Sequence, residues 1–277
     1  MKSNQKNLSN ETFSYNKLAA LLTIVFFIST SYVAFVHHDS WIVDQDGIMY
    51  LIQGKEILEG NGKNVKLLDA PIGGAVFFAS VDTFFEDGFF TMKMISLVSG
   101  GISVFIAYYI LQNIVKPKTA FLGQVFFAFH PFVSFFAIQA EVDMFPLMFS
   151  MISLYFITKK DLKLYDIVLF SIFIGISFMA RTQAIVILIA VLLFFVISLK
   201  NNFNKNLQSI GLILFVFVIT ISPLLFYNFS THGVILDHDA AFYYQYNSLY
   251  STPEWKDEVK NVAMAGDGTL KAIFIDL

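Results

Sequence analysis

Residues 208–229, QSIGLILFVFVITISPLLFYNF, hold no charged side chain. At about 1.5 Å of rise per residue, a helix of that length reaches across the roughly 30 Å hydrocarbon core of a bilayer. Working outward, comparable apolar stretches recur at 18–36, 92–115, 119–139, 143–158, 164–180 and 183–199, giving seven predicted spans. Composition agrees with this reading. Of 277 residues, 56% are hydrophobic and 14% charged, with 33 phenylalanines; a soluble domain holds about 25% charged residues. The predicted fold class is an all-α polytopic membrane protein, a bundle of transmembrane helices.

Basic residues orient the bundle. With the N-terminus in the cytoplasm, Lys2, Lys6 and Lys17, then Lys116 and Lys118, then Lys159, Lys160 and Lys163, then Lys200 and Lys205 all fall on the inner side. Short inner loops are where the positive-inside bias acts. The same alternation leaves the loop 37–90 and the tail 230–277 outside. The chain thus divides into a polar cytoplasmic N-terminus (1–17), a seven-span module with its first outer loop (18–229), and an extracytoplasmic tail (230–277). The first apolar stretch has no small-residue cleavage site before His37-His38, so it is expected to be a retained first span.

Several function classes drop out. The chain has no cysteine, so neither a disulfide framework nor thiolate chemistry is available. A net charge of −3 and the lack of a basic patch argue against nucleic acid as a partner.

The first outer loop is expected to carry interfacial helices. From Asp46, the apolar positions Ile48, Leu51, Ile52, Ile57 and Leu58 suit a short amphipathic helix ended by Gly60, lying on the outer membrane surface. The run 71–85 is interrupted by Gly73, Gly74 and Asp82 and reads as an interfacial or re-entrant piece. In the third span His130-Pro131 predicts a kink, because proline removes a backbone donor. An outer turn follows at Gln139–Asp143, and the fifth and sixth spans meet at Arg181, the only arginine. The acidic Asp44-Gln45-Asp46-Gly47, the Glu141/Asp143 turn, Arg181 and the tail, with Tyr243, Tyr244, Tyr246 and Tyr250, therefore converge on one side. Charges are costly beside a bilayer, so such a convergence points to one outward-facing cavity.

Each residue also has a plainer role. Asp46 at the head of a helix suits an N-cap, Asp143 would cap the fourth span and leave Glu141 facing outward, and Arg181 would snorkel at the interface. The tyrosines of the tail suit an interfacial belt. His37-His38-Asp39 and His232 with Asp237-His238-Asp239 lack a recognised ligand spacing.

Trp41-Ile-Val-Asp44-Gln-Asp46-Gly-Ile-Met-Tyr50, followed by Gly54 and Gly60, resembles the first-loop motif of GT-C glycosyltransferases. It is most similar to their protein-mannosyltransferase and aminoarabinose-transferase branch. Asp69-Ala-Pro71-Ile-Gly73, Phe129-His-Pro131 through Glu141-Val-Asp143-Met-Phe-Pro, and Gly175-Ile-Ser-Phe-Met-Ala-Arg181 agree in order. Asn228-Phe-Ser-Thr-His-Gly233 with Tyr243–Tyr250 resembles the loop after the family's seventh span. The resemblance covers about 18–255, the seven-span core of a usually longer family, so a fragment or a reduced member is expected.

The resemblance implies transfer of a sugar from a polyprenyl-phosphate donor to a protein, lipid or glycan acceptor at the extracytoplasmic face. Asp46 would be the catalytic base, assisted by Asp44. Arg181 would hold the donor phosphate, and Glu141, Asp143, Tyr50 and Tyr243 would shape the substrate site. Asp44 and Asp46 would be the ligands if a Mg²⁺ or Mn²⁺ ion is used, since hard cations take carboxylates. The chemistry fits: the acceptor hydroxyl needs a carboxylate to take its proton, and the departing phosphate needs a cation. The rival expectation is a non-catalytic scaffold or subunit of a glycosylation complex. A transporter fits less well, since the span interiors are nearly charge-free and transporters place charge at mid-membrane.

Overall fold

Apolar segments separated by Gly, Pro and polar turns can satisfy their backbone groups in lipid only as helices, and the structure is built from helices alone among the described residues. A computed structural model describes residues 2–36, 45–62, 71–200 and 202–233; Asp46 is described through its backbone only. The helices are α1 (Lys2–Val36), α2 (Gln45–Leu58), α3 (Ile72–Phe85), α4 (Gly88–Ile114), α5 (Pro117–Ala128), α6 (Pro131–Ile138), α7 (Met144–Ile157), α8 (Leu164–Ala180), α9 (Ile185–Ile197) and α10 (Phe203–His232).

Four segments are long and apolar enough to cross a membrane: Phe13–Val36, Gly88–Ile114, Thr182–Lys200 and Phe203–Thr231. The pair α5–α6, bent by 55°, makes a fifth candidate if it is one broken span rather than a re-entrant loop. The bend falls where the sequence places it, with His130 extended (φ −65°, ψ 127°) and Pro131 opening α6. The predicted spans 143–158 and 164–180 appear as α7 and α8, apolar helices of 14 and 17 residues, too short to cross alone by length. Pro223 sits inside α10 without ending it. Ser222 Oγ donates to the Ile219 carbonyl at 2.7 Å, replacing the bond that the proline nitrogen cannot make.

Polar side chains join the helices where apolar surface gives no preference. Gln124 on α5 donates to the carbonyls of Ala19 on α1 and Val104 on α4, each at 3.1 Å. Ser177 on α8 donates to the Pro146 carbonyl of α7 at 2.7 Å, and its hydroxyl lies 2.8 Å from that of Ser150. At the opposite end of α7 and α8, Lys159 Nζ meets the fully buried Asp166 carboxylate at 2.6 Å, and Asp166 also accepts from the Lys163 backbone N–H at 3.1 Å. Burial works to lower the Lys159 pKa, but the bond and the charge of Asp166 outweigh it and hold it above the usual lysine value. Lys159→Met is therefore expected to destabilise the protein by about 2 kcal/mol, less than the ~3–5 kcal/mol of a fully buried pair because Lys159 is 24% exposed. A lysine whose pKa is raised on folding stabilises below its unfolded value and stops doing so as pH climbs through the folded one. Thermal melts of wild type and variant should thus differ by a constant amount at neutral pH and converge only above about 10.5.

The first outer loop folds as expected, with one refinement. Gly60 ends α2 in the left-handed region (φ 83°). The face of α2 that packs on the protein carries Gly47, Tyr50, Gln53 and Gly54, all buried, whereas Met49, Ile52 and Leu58 face outward. The small and polar side thus docks on the bundle and the apolar side is left for the membrane surface. A Cβ at Gly54 would lie 2.6 Å from the Ala75 carbonyl carbon and 2.7 Å from Ala79 Cβ, so only glycine lets α2 and α3 cross this closely. Lys55 then reaches the buried Asp82 of α3 at 2.6 Å, and Asp82 accepts from Thr91 of α4 at 2.9 Å.

Candidate active site

Four chain segments meet at one end of the bundle. The first turn of α2 arrives by way of Gly47, where a Cβ would collide with the Ala140 carbonyl oxygen and lie 3.3 Å from its carbon. That contact sets the backbone of Asp46, the preceding residue, beside the 139–143 turn. The turn itself is fixed from α4: Ser96 Oγ donates to the Glu141 carbonyl at 2.8 Å and receives the Glu141 N–H at 3.4 Å. The N-terminus of α3 meets the last turn of α8, since a Cβ at Gly73 would stand 2.7 Å from the Met179 carbonyl oxygen. Arg181 directly follows α8, and its Nη1 pairs with the Asp143 carboxylate. Beneath this ring Tyr50, Ala75, Phe78, Met92, Ala140, Val142, Phe145 and Ala180 form one apolar cluster, the floor that holds the segments in register.

The predicted site residues fare differently. Asp46 lies in the first turn of α2, one residue inside a helix that starts at Gln45, and is not its cap. An anion there is favoured by the unpaired amides and the helix dipole. Asp143 stands at the N-cap position of α7 but makes no capping bond; its carboxylate is turned to Arg181. Glu141, expected to face outward, is instead only 2% exposed. Arg181 is 23% exposed and ion-paired with Asp143, so it is more than a snorkelling anchor. Tyr50 is buried on the floor, 6.3 Å from Phe78 ring to ring. Asp44 and Tyr243 lie outside the described residues, as do the histidines at 37–38, His238 and the side chain of Asp46. The divalent-ion reading rests on Asp44 and Asp46 and so falls outside them too. Among the described residues no three His, Asp or Glu side chains group as metal ligands.

Sequence reading passed over Lys93. It is 2% exposed, its Nζ donates to the Ala34 carbonyl at 2.8 Å, and it lies over the Phe89 ring at 4.2 Å. Ser96, the clamp on Glu141, is one helical turn further along the same face of α4. The signal was present: a lysine buried within apolar sequence at a span's end has to serve something.

This arrangement can place a carboxylate, a guanidinium and an aromatic floor around one small volume at the rim of an apolar bundle. A guanidinium offers five N–H donors in a planar fork, so it can hold a carboxylate and a phosphate oxygen together. The model of the dolichyl-phosphate-mannose-protein mannosyltransferase family matches residues 69–227, more than half of the chain. That stretch includes Glu141, Asp143 and Arg181 and begins after Asp44 and Asp46. No curated protein and no solved structure matches the chain. Family match, all-helical bundle and apolar crossings together make the chain a member of the dolichyl-phosphate-mannose-protein mannosyltransferase family, a multi-pass membrane glycosyltransferase of the GT-C type.

Proposed function

We propose that this protein moves a sugar from a polyprenyl-phosphate donor to a hydroxyl of a protein, lipid or glycan acceptor on the extracytoplasmic face, with the N-terminus in the cytoplasm. The acceptor oxygen attacks the anomeric carbon and its proton passes to the Asp46 carboxylate. The bond from that carbon to the phosphate oxygen breaks, and polyprenyl phosphate leaves with the electron pair. Arg181 stabilises the charge growing on the phosphate, which is where preorganised donors contribute most. Asp143 orients Arg181, Glu141 and Tyr50 shape the acceptor side, and Asp44 assists Asp46. The observation carrying this reading is the approach of Gly47 to Ala140, which sets the backbone of Asp46 beside the turn whose Asp143 holds Arg181.

The test is turnover of radiolabelled polyprenyl-phosphate hexoses by membranes containing the protein, with donor binding followed in parallel. Release or transfer of sugar above that of control membranes is expected. Donor binding without any turnover would favour the non-catalytic scaffold instead. If Asp44 and Asp46 hold Mg²⁺ or Mn²⁺, chelation abolishes turnover and either ion restores it; activity that survives EDTA rejects the metal. Arg181→Lys keeps the charge but loses the fork, and should lower kcat/KM for the donor by roughly 10–150-fold, the ~1.5–3 kcal/mol scale of a charge-assisted hydrogen bond. A kcat/KM left at the wild-type value would take Arg181 out of the donor site.

A further inference from the structure

The end of the bundle away from the candidate site gathers a second set of charges, most of which are not spent on each other. Asn113, in the last turn of α4, donates from Nδ2 to the Tyr155 carbonyl at 3.4 Å and to Thr158 Oγ1 at 3.3 Å, both at the end of α7. Tyr109, one turn earlier on α4, meets the Tyr155 ring edge-on, with centroids 6.4 Å apart. These contacts bring the α4–α5 connection, with Lys116 and Lys118, to the α7–α8 connection, with Lys159, Lys160 and Lys163. Two acids accompany them, Asp161 in the second connection and Asp166 in the first turn of α8. Asp166 is fully buried and already taken, by the Lys159 ammonium and the Lys163 backbone N–H. Lys116, Lys118, Lys160 and Lys163 are all exposed, and among the described residues none of the four forms an ion pair.

The surroundings of these ammoniums say what they meet. Lys159 Nζ lies 5.0, 4.7 and 5.5 Å from the ring centroids of Tyr155, Phe156 and Tyr165, and Lys163 Nζ lies 5.8 Å from that of Tyr165. Rings so placed steady a lysine without neutralising it. Tyr165 is itself exposed, as is Ile114 at the end of α4, and Leu164 between Lys163 and Tyr165 is 70% exposed. Apolar side chains that open, at the end of a helix that crosses the membrane, are covered by lipid, so the lysines stand at the depth of the head groups. Lysines clustered just beyond membrane helices attract anionic lipids, and an ammonium meets a phosphate as a compact point charge. We propose that the α4–α5 and α7–α8 connections form a site for the phosphate head group of an anionic phospholipid, held by Lys116, Lys118, Lys160 and Lys163, with an acyl chain along Leu164. Phosphatidylcholine carries the same phosphate but cancels its charge with choline, so it binds less well. A soluble phosphate shares the oxygens and lacks the chain. No residue of the candidate active site takes part, so the proposal stands apart from the sugar-transfer reading.

The chain has no cysteine, so Leu164→Cys supplies a single attachment point for a bimane fluorophore. The labelled protein is reconstituted in phosphatidylcholine nanodiscs containing increasing fractions of nitroxide-bearing phosphatidylglycerol or nitroxide-bearing phosphatidylcholine. Half-quenching is expected at an about tenfold lower mole fraction of the phosphatidylglycerol. Lys160→Gln with Lys163→Gln, and separately Lys116→Gln with Lys118→Gln, should each abolish that preference, because one lysine at an anionic surface is worth about fivefold. Lys200→Gln with Lys205→Gln removes the same charge from the α9–α10 connection at the same end of the bundle, and should leave the preference intact. All these side chains are exposed, so the variants should melt with the parent protein. Equal quenching by the two lipids overturns the proposal. Loss of preference in the Lys200/Lys205 variant does so too, since the effect would then belong to surface charge in general. A preference that survives either of the other pairs shows that the two connections do not share one site. Glycerol 3-phosphate in large excess should not relieve the quenching; relief would make this a site for soluble phosphates and overturn the lipid as its ligand.

Discussion

Asp46→Asn is expected to lower kcat by about 10²–10⁴-fold, the range in which a positioned general base contributes, with donor affinity kept within about twofold of wild type. The substitution changes almost no volume and removes one property: the amide cannot take a proton from the acceptor hydroxyl. Two features confine the effect to chemistry. Asp46 sits in the first turn of α2, where Asn is also tolerated, so the helix should still form. The contacts that dock α2, at Gly47 against Ala140 and Gly54 against Ala75, are made by other residues. Single-turnover measurements with preloaded donor would separate the chemical step from binding. A variant that binds donor normally and transfers sugar at the wild-type rate would remove Asp46 from the mechanism. Equal loss of binding and turnover would make it a structural residue.

Gly47→Ala should be nearly as damaging, for a mechanical reason. The added Cβ meets the Ala140 carbonyl oxygen and lies 3.3 Å from its carbon, against a turn that cannot move aside. Glu141 is pinned to Ser96, and Asp143 is paired with Arg181. The strain must therefore be relieved by α2, which carries Asp46 away from the turn. Overpacking of this kind costs about 1–3 kcal/mol in stability, and a displacement of about 1 Å at a reacting group costs roughly 10²-fold in rate. Gly211→Ala is the matched control, since nothing lies within 4 Å of its Cβ position in the middle of α10. There alanine should be neutral or stabilise by about 0.5–1 kcal/mol through its better helix propensity. Comparing kcat for the two alanine variants at equal folded fraction decides the matter. Gly47→Ala with wild-type kcat would show that the α2 contact does not position the base.

The two substitutions probe different kinds of information. That a helix begins near Asp46 and stops at Gly60, that the chain bends at His130-Pro131, and that 71–85 is not one of the long spans were all readable from neighbouring residues. Of the seven predicted spans, four match helices long enough to cross and one the bent pair α5–α6, whereas α7 and α8 are helical but too short by length. The reason is that hydropathy marks apolar residues without saying whether they face lipid or the bundle. The state of the site residues was not readable. Asp143 had an ordinary local role, capping α7, and the fold gives it another because Arg181, 38 positions away, arrives beside it. Glu141 was expected outside because polar residues at a turn usually are, but Ser96 of α4 draws its backbone inward. Nothing next to Lys93 in the sequence shows that α1 presents the Ala34 carbonyl to it.

The sequence alone determined that the chain is a membrane bundle, roughly where its apolar helical segments lie, and which polar residues fall at one end of it, though α1 begins at Lys2, well before the first span expected from 18. Those properties are local: in lipid each helix must satisfy its own backbone hydrogen bonds, so hydropathy, glycine and proline decide it segment by segment. Only the tertiary structure decided that Gly47 lies on Ala140, that Arg181 chooses Asp143, and that Asn113 joins the ends of α4 and α7. Lipid is as apolar as leucine, so burial does not choose which helices meet in a bilayer. Glycine-sized gaps, serine and lysine bonds to carbonyls and the angle of one proline make that choice, and none of them names its partner in the sequence.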